Sequence, residues 1–556
     1  MKKSLLIMML ILSMMLAACS GNESSGSKGK EKGKDTGTPD SSNLAEEQVL
    51  NLYASGEIPS MDSSQATDTV SFTIMNNTFE GLYRLDVENK PVPGVAKSYS
   101  VSDDNLVYTF ELNENAKWSN GDPVTAHDFV YSWKKALHPD TLSQYAYIMG
   151  VVKNANGIQT EGDPLYGKVD ELGIKAIDDH KLEVTLEYPA PYFLSLTGFA
   201  TFYPQNQKYV ESQGKNYALE ADTMIYNGPF VMSEWKHNEG WVMEKNDQYW
   251  DKENVILDKI NQKVVKDTAT MINLFETGDI DYAKLTAEYV DQYKDHEDFY
   301  TSPDPVMYFL RLNQKNKALA NLNIRKAIDS GWDKESHAKV ILNDGSKAAY
   351  YFIPSDFTKN PDGEDFRKIN GDFGSYDIKK AQEYWKKGLE EIGEESLTLE
   401  LLNYDDDTSK KTGEYIKNQL EKNLPGLTVN IKAQPFKQKL ALETKMDYDF
   451  SYAGWGPDYD DPMTYLDMFL TNGGHNEMAY SNPKYDELVK SALKEADAKK
   501  RFEMLLEAEK VFMEDQAISP MFQDGTAALL RGYVKNRAEH VFGGDFTYKW
   551  TYIEKH

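Results

Sequence analysis

Residues 396–402, 409–422 and 427–431 read in turn as strand, helix and strand, the helix carrying Tyr415, Ile416 and Leu420 on one side. Two strands joined through a helix of this length lie parallel, with a right-handed crossover. The unit therefore commits this part of the chain to an α/β arrangement. Ligands of such sheets gather beyond the carboxyl ends of the strands. Tyr404 and Phe436 follow just past these two strands, as wall residues of a cleft or as ordinary packing aromatics.

Elsewhere the pattern is mixed. Val49 to Tyr53 reads as a short strand. Leu106, Tyr108, Phe110 and Leu112 alternate with more polar neighbours, as do Leu182, Val184 and Leu186. Thr125-Ala126-His127-Asp128 resembles a helix-start capping box, after which Phe129, Val130, Trp133 and Leu137 share a face. A helix over 268–277 is stopped by Gly278, two amphipathic helices are expected over 483–494 and 498–513, and short strand-like pieces over 527–531 and 547–553. At 556 residues the chain exceeds the size of one core, so two or three lobes are expected.

The 61 basic and 89 acidic residues leave a net charge of −28, which repels a phosphate backbone, so nucleic acid is not an expected partner. Cys19 is the sole cysteine, which excludes an intrachain disulfide and a thiolate zinc site. Lys2 and Lys3 precede an apolar run over 5–16 broken only by Ser13, the layout of a signal peptide. Residues 20–45 are rich in Ser, Gly, Lys and Glu and read as a tether.

Chemistry concentrates in Trp455-Gly456-Pro457-Asp458-Tyr459-Asp460-Asp461-Pro462, where three carboxylates stand among aromatic rings on a backbone set by Gly and Pro. A shielded carboxylate between aromatic walls suits a primary ammonium, because charge-assisted hydrogen bonds are the stronger ones. The alternative is an acidic surface turn. A hydrolase using Asp458 and Asp461 as an acid/base pair is the rival class, since two carboxylates are the minimum for such chemistry. The sequence carries no His-Glu-x-x-His and no Gly-x-Ser-x-Gly. Asp279-Ile280-Asp281 and Asp405-Asp406-Asp407 invite metal readings, but neither has calcium-loop spacing, and both read as turns. No metal and no cofactor is expected.

The Trp455–Asp458 segment, together with Trp118-Ser119-Asn120-Gly121, Asn227-Gly228-Pro229-Phe230, Glu244-Lys245-Asn246-Asp247 with Tyr249-Trp250, and Asn323-Ile324-Arg325-Lys326-Ala327, resembles the oligopeptide-binding lipoproteins of peptide ABC importers, solute-binding protein family 5. The likeness runs from about Leu50 to the C-terminus. It implies a two-lobed periplasmic-binding-protein-like α/β fold of the class with an extra third domain, hinged between the lobes. The implied division is 1–18 signal peptide, 19–46 lipidated Cys19 and tether, 47–80 with 200–305 and 525–556 lobe I, 81–199 the extra subdomain, and 306–524 lobe II.

The resemblance further implies a monomeric, membrane-anchored receptor, not an enzyme, acylated at Cys19 and facing the extracellular side or the periplasm. It would bind short peptides and hand them to an ABC permease with its ATPase subunits. Asp458 would pair with the peptide's α-amine. Thr67 and Thr69 would lie along its main chain, and Tyr145, Tyr404, Phe436, Tyr452, Trp455 and Tyr459 would line the cleft. A murein-peptide or signalling-peptide receptor fits the same framework. Some relatives carry an arginine for the peptide carboxylate where this chain has Tyr452; Glu443 is acidic too, which leaves Lys445 as a substitute.

Overall fold

The computed structural model describes residues 41–556, so Cys19, the signal segment and most of the tether lie outside the described residues. Three sheets organise the rest. Val49–Ala54 pairs in parallel with Lys259–Val264, which continues antiparallel into Gly240–Lys245 and Phe230–Lys236. A second, antiparallel sheet runs Ala96–Val101, Val107–Leu112, Lys181–Thr185, Ile174–Asp178. Its expected alternation holds: Tyr108, Phe110 and Leu112 point into the core, as do Leu182 and Val184. The helix Ala126–Leu137 begins with the expected capping box, Asp128 Oδ2 accepting from Thr125 N at 2.8 Å. Trp133 on that helix is fully buried and donates to Phe202 O at 2.9 Å.

The third sheet holds the parallel pair Leu397–Tyr404 and Leu427–Gln434, joined by the helix Asp407–Asn423. Ile416 and Leu420 of that helix are fully buried against Leu310, Leu401 and Val429, each aliphatic side chain contributing roughly 1.5–3 kcal/mol by leaving water. The sheet continues through Phe450–Trp455 to two long antiparallel strands, Phe299–Leu312 and Ile518–Leu530, and ends at Tyr282–Leu285. The long pair changes register between Pro303 and Met307. On one side of the break it joins Tyr282–Leu285, on the other Phe450–Trp455, so these two strands link the lobes. The short piece expected over 527–531 is in fact the end of this 13-residue strand. It is buried on both faces, so it shows no alternation, and Pro520 and Gly525 disguise it further. Gly525 is needed there, since an added Cβ would stand 2.4 Å from the carbonyl carbon of Gly345.

Several segments that carry the family likeness are structural. Glu80 receives Trp250 Nε1 at 2.6 Å and Arg84 Nη1 at 2.9 Å, and Asn246 Nδ2 donates to Gly228 O at 2.9 Å. Arg325 is buried and satisfies backbone carbonyls, donating to Leu319 O at 2.8 Å, Asp515 O at 2.7 Å and Gln516 O at 3.0 Å.

Candidate ligand-binding site

The strand Phe450–Trp455 delivers Trp455 to the carboxyl end of the third sheet, opposite Met307. Pro457 cannot continue the ladder, and the chain turns back on itself. Two bonds set that turn: Trp455 Nε1 donates to Thr464 O at 3.0 Å, and Asp458 N donates to Thr464 Oγ1 at 2.8 Å.

The three carboxylates of the turn have different fates. Asp460 is exposed. Asp461 is gripped by Arg501 through both oxygens, at 2.6 and 2.8 Å. Asp458 is only 7% exposed; its Oδ1 accepts from the Tyr145 hydroxyl at 3.2 Å, while Oδ2 accepts no hydrogen bond of ordinary geometry. Burial holds the Asp458 carboxyl well above its usual range, the Asp467 charge adds to this, and the Tyr145 hydrogen bond opposes it. A buried carboxylate without a cation is strongly disfavoured, and a cation at Oδ2 would remove the penalty.

The surroundings come from both lobes. Tyr145 lies on the short helical stretch Gln144–Val151 of the small subdomain, edge-on to Phe72 at 5.1 Å and stacked on Trp455 at 6.0 Å. Its neighbour Gln144 donates to Glu477 Oε1 at 3.1 Å and Thr444 Oγ1 at 3.2 Å. Tyr192 stacks on Tyr459 at 4.8 Å, and Gly543 N donates to Pro457 O at 3.0 Å. These contacts tie Gln144, Tyr145, Tyr192 and Gly543 to residues 444–477.

The expected site residues divide into groups rather than meeting at one point. Asp458, Trp455, Tyr459 and Tyr145 form the first. Tyr404 stacks on Phe436 at 5.8 Å and meets Tyr452 edge-on at 5.6 Å, forming the second. Tyr452 and Trp455 are three apart on one strand, so they point to opposite faces; Tyr452 packs on Tyr308 in the core of the second lobe. Thr67 is half-buried and Thr69 exposed in the first turn of the helix Thr69–Thr78, whose cap Asp68 accepts from Ser71 N at 2.9 Å. Burial pushes Asp68 up to about 6.

Lys445 is exposed at the end of the helix Phe436–Thr444, so it does not replace the missing arginine. Two buried cations lie near these aromatic residues instead, Lys439 beside Tyr404 and Arg311 beside His475. Lys439 pairs with Glu443 at 2.7 Å and lies 4.1 Å above the Tyr404 ring, and burial pushes it down to about 8 against the pull of Glu443. Arg311 pairs with Glu477.

Sequence reasoning missed His475, Asp467, Gln144 and Glu477. His475 is buried against Tyr145 at 4.6 Å and Trp455 at 4.9 Å, with Nε2 unpaired. Burial first, then Arg311, pushes it down to about 3, so the ring is neutral. Gly473-Gly474-His475-Asn476 looks like any polar turn in sequence; a histidine directly after a glycine pair is its one signal.

Among the described residues no group of three His, Cys, Asp or Glu is placed to hold a metal ion. Asp281 accepts from Asn51 N and the Tyr533 hydroxyl, both at 2.7 Å; Asp405 pairs with Lys266 at 2.8 Å, and Asp406 caps the next helix.

Comparison with known proteins agrees with this geometry. The family description "Bacterial extracellular solute-binding proteins, family 5 Middle" matches residues 90–477. The chain is 36% identical over 538 residues to the dipeptide-binding protein DppE of Bacillus subtilis (strain 168), covering 96% of this chain and 95% of that one. The solved substrate-binding domain of an oligopeptide ABC transporter from Bacillus anthracis str. Ames is similar at a TM-score of 0.89 and 48% identity, covering 92% of this chain and 100% of that one. Listeria monocytogenes OppA bound to peptide is similar at a TM-score of 0.88 and 44% identity, with the same coverage.

Proposed function

Because the chain belongs to the bacterial extracellular solute-binding proteins of family 5, we propose that it is a peptide receptor that closes two lobes on the free amino end of a peptide and serves an ABC importer. The observation that carries this reading is Asp458: a buried carboxylate between residues of both lobes, with one oxygen unpaired. The relatives are named for dipeptides and for an oligopeptide ABC transporter, and one was solved with peptide bound. The lobes comprise 47–80, 200–305 and 525–556 on one side and 306–524 on the other, with 81–199 as the extra subdomain; the hinge lies at the register break of the two long strands. A ligand shifts this hinge only by binding the shut form better, and Asp458 with Tyr145 supplies a contact that exists only when shut.

The receptor acts as a monomer and without catalysis, since Arg501 occupies the second carboxylate a hydrolase would need. It is held at the outer face of the membrane by acyl chains on Cys19, several of which give stable anchoring where one would be marginal. Among the described residues no helix is long and apolar enough to cross a membrane. Native mass spectrometry of protein purified from cells, followed by calorimetry with the peptides it carries, tests the reading. One peptide bound per chain without turnover is expected. Cleavage of the peptide, or no affinity for any peptide with a free amino end, would overturn it.

A further inference from the structure

Asp467 lies at the start of a helical turn, Asp467–Phe469, that directly follows the helix Met463–Leu466, and this brings it back beside Asp458. Its Oδ2 accepts from the Tyr459 hydroxyl at 2.9 Å; its Oδ1 is buried and, like Asp458 Oδ2, accepts no hydrogen bond of ordinary geometry. The Tyr147 hydroxyl lies in the field of both carboxylates. His475, 3% exposed and neutral, leaves a third atom, Nε2, without a hydrogen bond, its ring 5.6 Å from Tyr147 and 4.6 Å from Tyr145. The nearby cations are committed elsewhere, Arg501 to Asp461 and Arg311 to Glu477. Two acceptor oxygens and a neutral ring nitrogen match the three N–H donors of an ammonium.

We propose that Asp467 is a second carboxylate of the amine site: the ligand's ammonium sits between Asp458 Oδ2 and Asp467 Oδ1 and, on arriving, displaces a proton that the two acids otherwise share. The proposal rests on the peptide-receptor reading. Two adjacent buried carboxylates do not both ionise without a cation. Balance is simple: R–NH3⁺ enters, one H⁺ leaves to solvent, and the site's charge stays at −1, first with the shared proton and then with the ammonium.

The charged and titratable groups facing the pair are few. They are Tyr145 and Tyr147 from the small subdomain, with Asp68 beyond Tyr145; Tyr188 and Tyr192; Tyr459 and the Asp461–Arg501 pair; Tyr465, Tyr485 and His475. The tyrosines are held above their usual range by burial, and His475 is neutral. Burial first, then the Asp461 charge, pushes Asp467 up to about 7. Affinity therefore rises with pH up to about 7, then falls as the free peptide's own amine loses its proton near pH ~8.

The test is calorimetry of the purified protein with trialanine, tetraalanine and pentaalanine at pH 6.5, in phosphate and in Tris, which report proton release through their different ionisation heats. Wild type should release close to one proton per peptide. Asp467→Asn should bind five- to twentyfold more weakly, while Asp458, held up by its own burial, still gives up its proton. Tyr459→Phe, which removes the donor to Asp467 Oδ2, should keep the release and move the midpoint of the pH profile upward. Binding by wild type without proton release, or wild-type affinity in Asp467→Asn, overturns the second carboxylate and leaves the peptide reading standing. Binding of none of the three peptides overturns the peptide reading and this inference with it. Should Asp467→Asn fail to fold, the wild-type proton count and the Tyr459→Phe shift decide.

Discussion

A Cβ added to Gly474 would stand 2.4 Å from the backbone oxygen of Gln144, so the shut lobes touch main chain to main chain beside the amine site. Neither partner can yield by rotating a side chain. Gly474→Ala should therefore hold the small subdomain off the second lobe without disturbing either core, at a cost of about 1–3 kcal/mol to the shut form. Peptide affinity should fall by roughly tenfold or more with little change in melting temperature. Calorimetry beside small-angle scattering checks both; wild-type affinity would show that the contact does not limit closure.

Arg501 bears on the same loop from outside. Its two bonds to Asp461 pin the turn that carries Asp458, and breaking them leaves a half-buried carboxylate without a partner. Arg501→Gln should weaken peptide binding three- to tenfold through a misplaced Asp458, while far-ultraviolet circular dichroism stays that of wild type. A variant that binds normally would mean that Thr464 alone sets the turn.

Stability depends on a different buried pair. Glu509, fully buried, accepts from Phe352 N at 3.0 Å, Ile353 N at 2.8 Å and Asn370 Nδ2 at 2.7 Å, and pairs with Arg367. Glu509→Ala removes the acceptor of two backbone N–H groups and the counter-charge of buried Arg367, and loss of one partner of such a pair costs about 3–5 kcal/mol. Denaturant unfolding should show that loss. Calorimetry on the folded fraction should give wild-type peptide affinity, since none of the four groups that Glu509 holds belongs to a cleft residue.

At the hinge, Asp304 is pushed up to about 7 and Asp344 to about 6, by burial first and then by the Asp524 charge, with Lys284 paired to Asp524 at 2.9 Å. A carboxyl whose folded-state pKa lies above its unfolded value binds more protons when folded. Its contribution is full below pH ~4 and is lost as pH rises through about 7. Asp304→Asn should therefore melt higher than wild type at pH 8 and no higher at pH 4. A difference in melting temperature that does not vary with pH would contradict this assignment.

Much of the architecture was legible because each readable segment buries one face. The alternation at Tyr108, Phe110 and Leu112, the capping box at Thr125 and Asp128, and the helix Pro483–Lys494 all stand as expected, and the parallel unit only extends to Tyr404 and Gln434. Ile518–Leu530 was missed because burial on both faces erases the period-two signal. At the site, Asp458 and Tyr145 were legible as residues of a motif and are in contact. Asp467 was not, because its place beside Asp458 is created by the reversal after Met463–Leu466 and not by sequence spacing. Placing Tyr452 beside Trp455 on the cleft overlooked the strand's alternation, which sends the two rings to opposite faces.

The account turns on a charge at position 458 meeting an ammonium, and the calorimetric affinity of Asp458→Asn for a peptide that copurifies with wild type measures this most directly. Asparagine keeps the shape and an acceptor for Tyr145 while removing the charge. A charge-assisted contact contributes roughly 1.5–3 kcal/mol, so the variant should bind at least tenfold more weakly than wild type. Equal affinity in the two proteins would contradict the central claim.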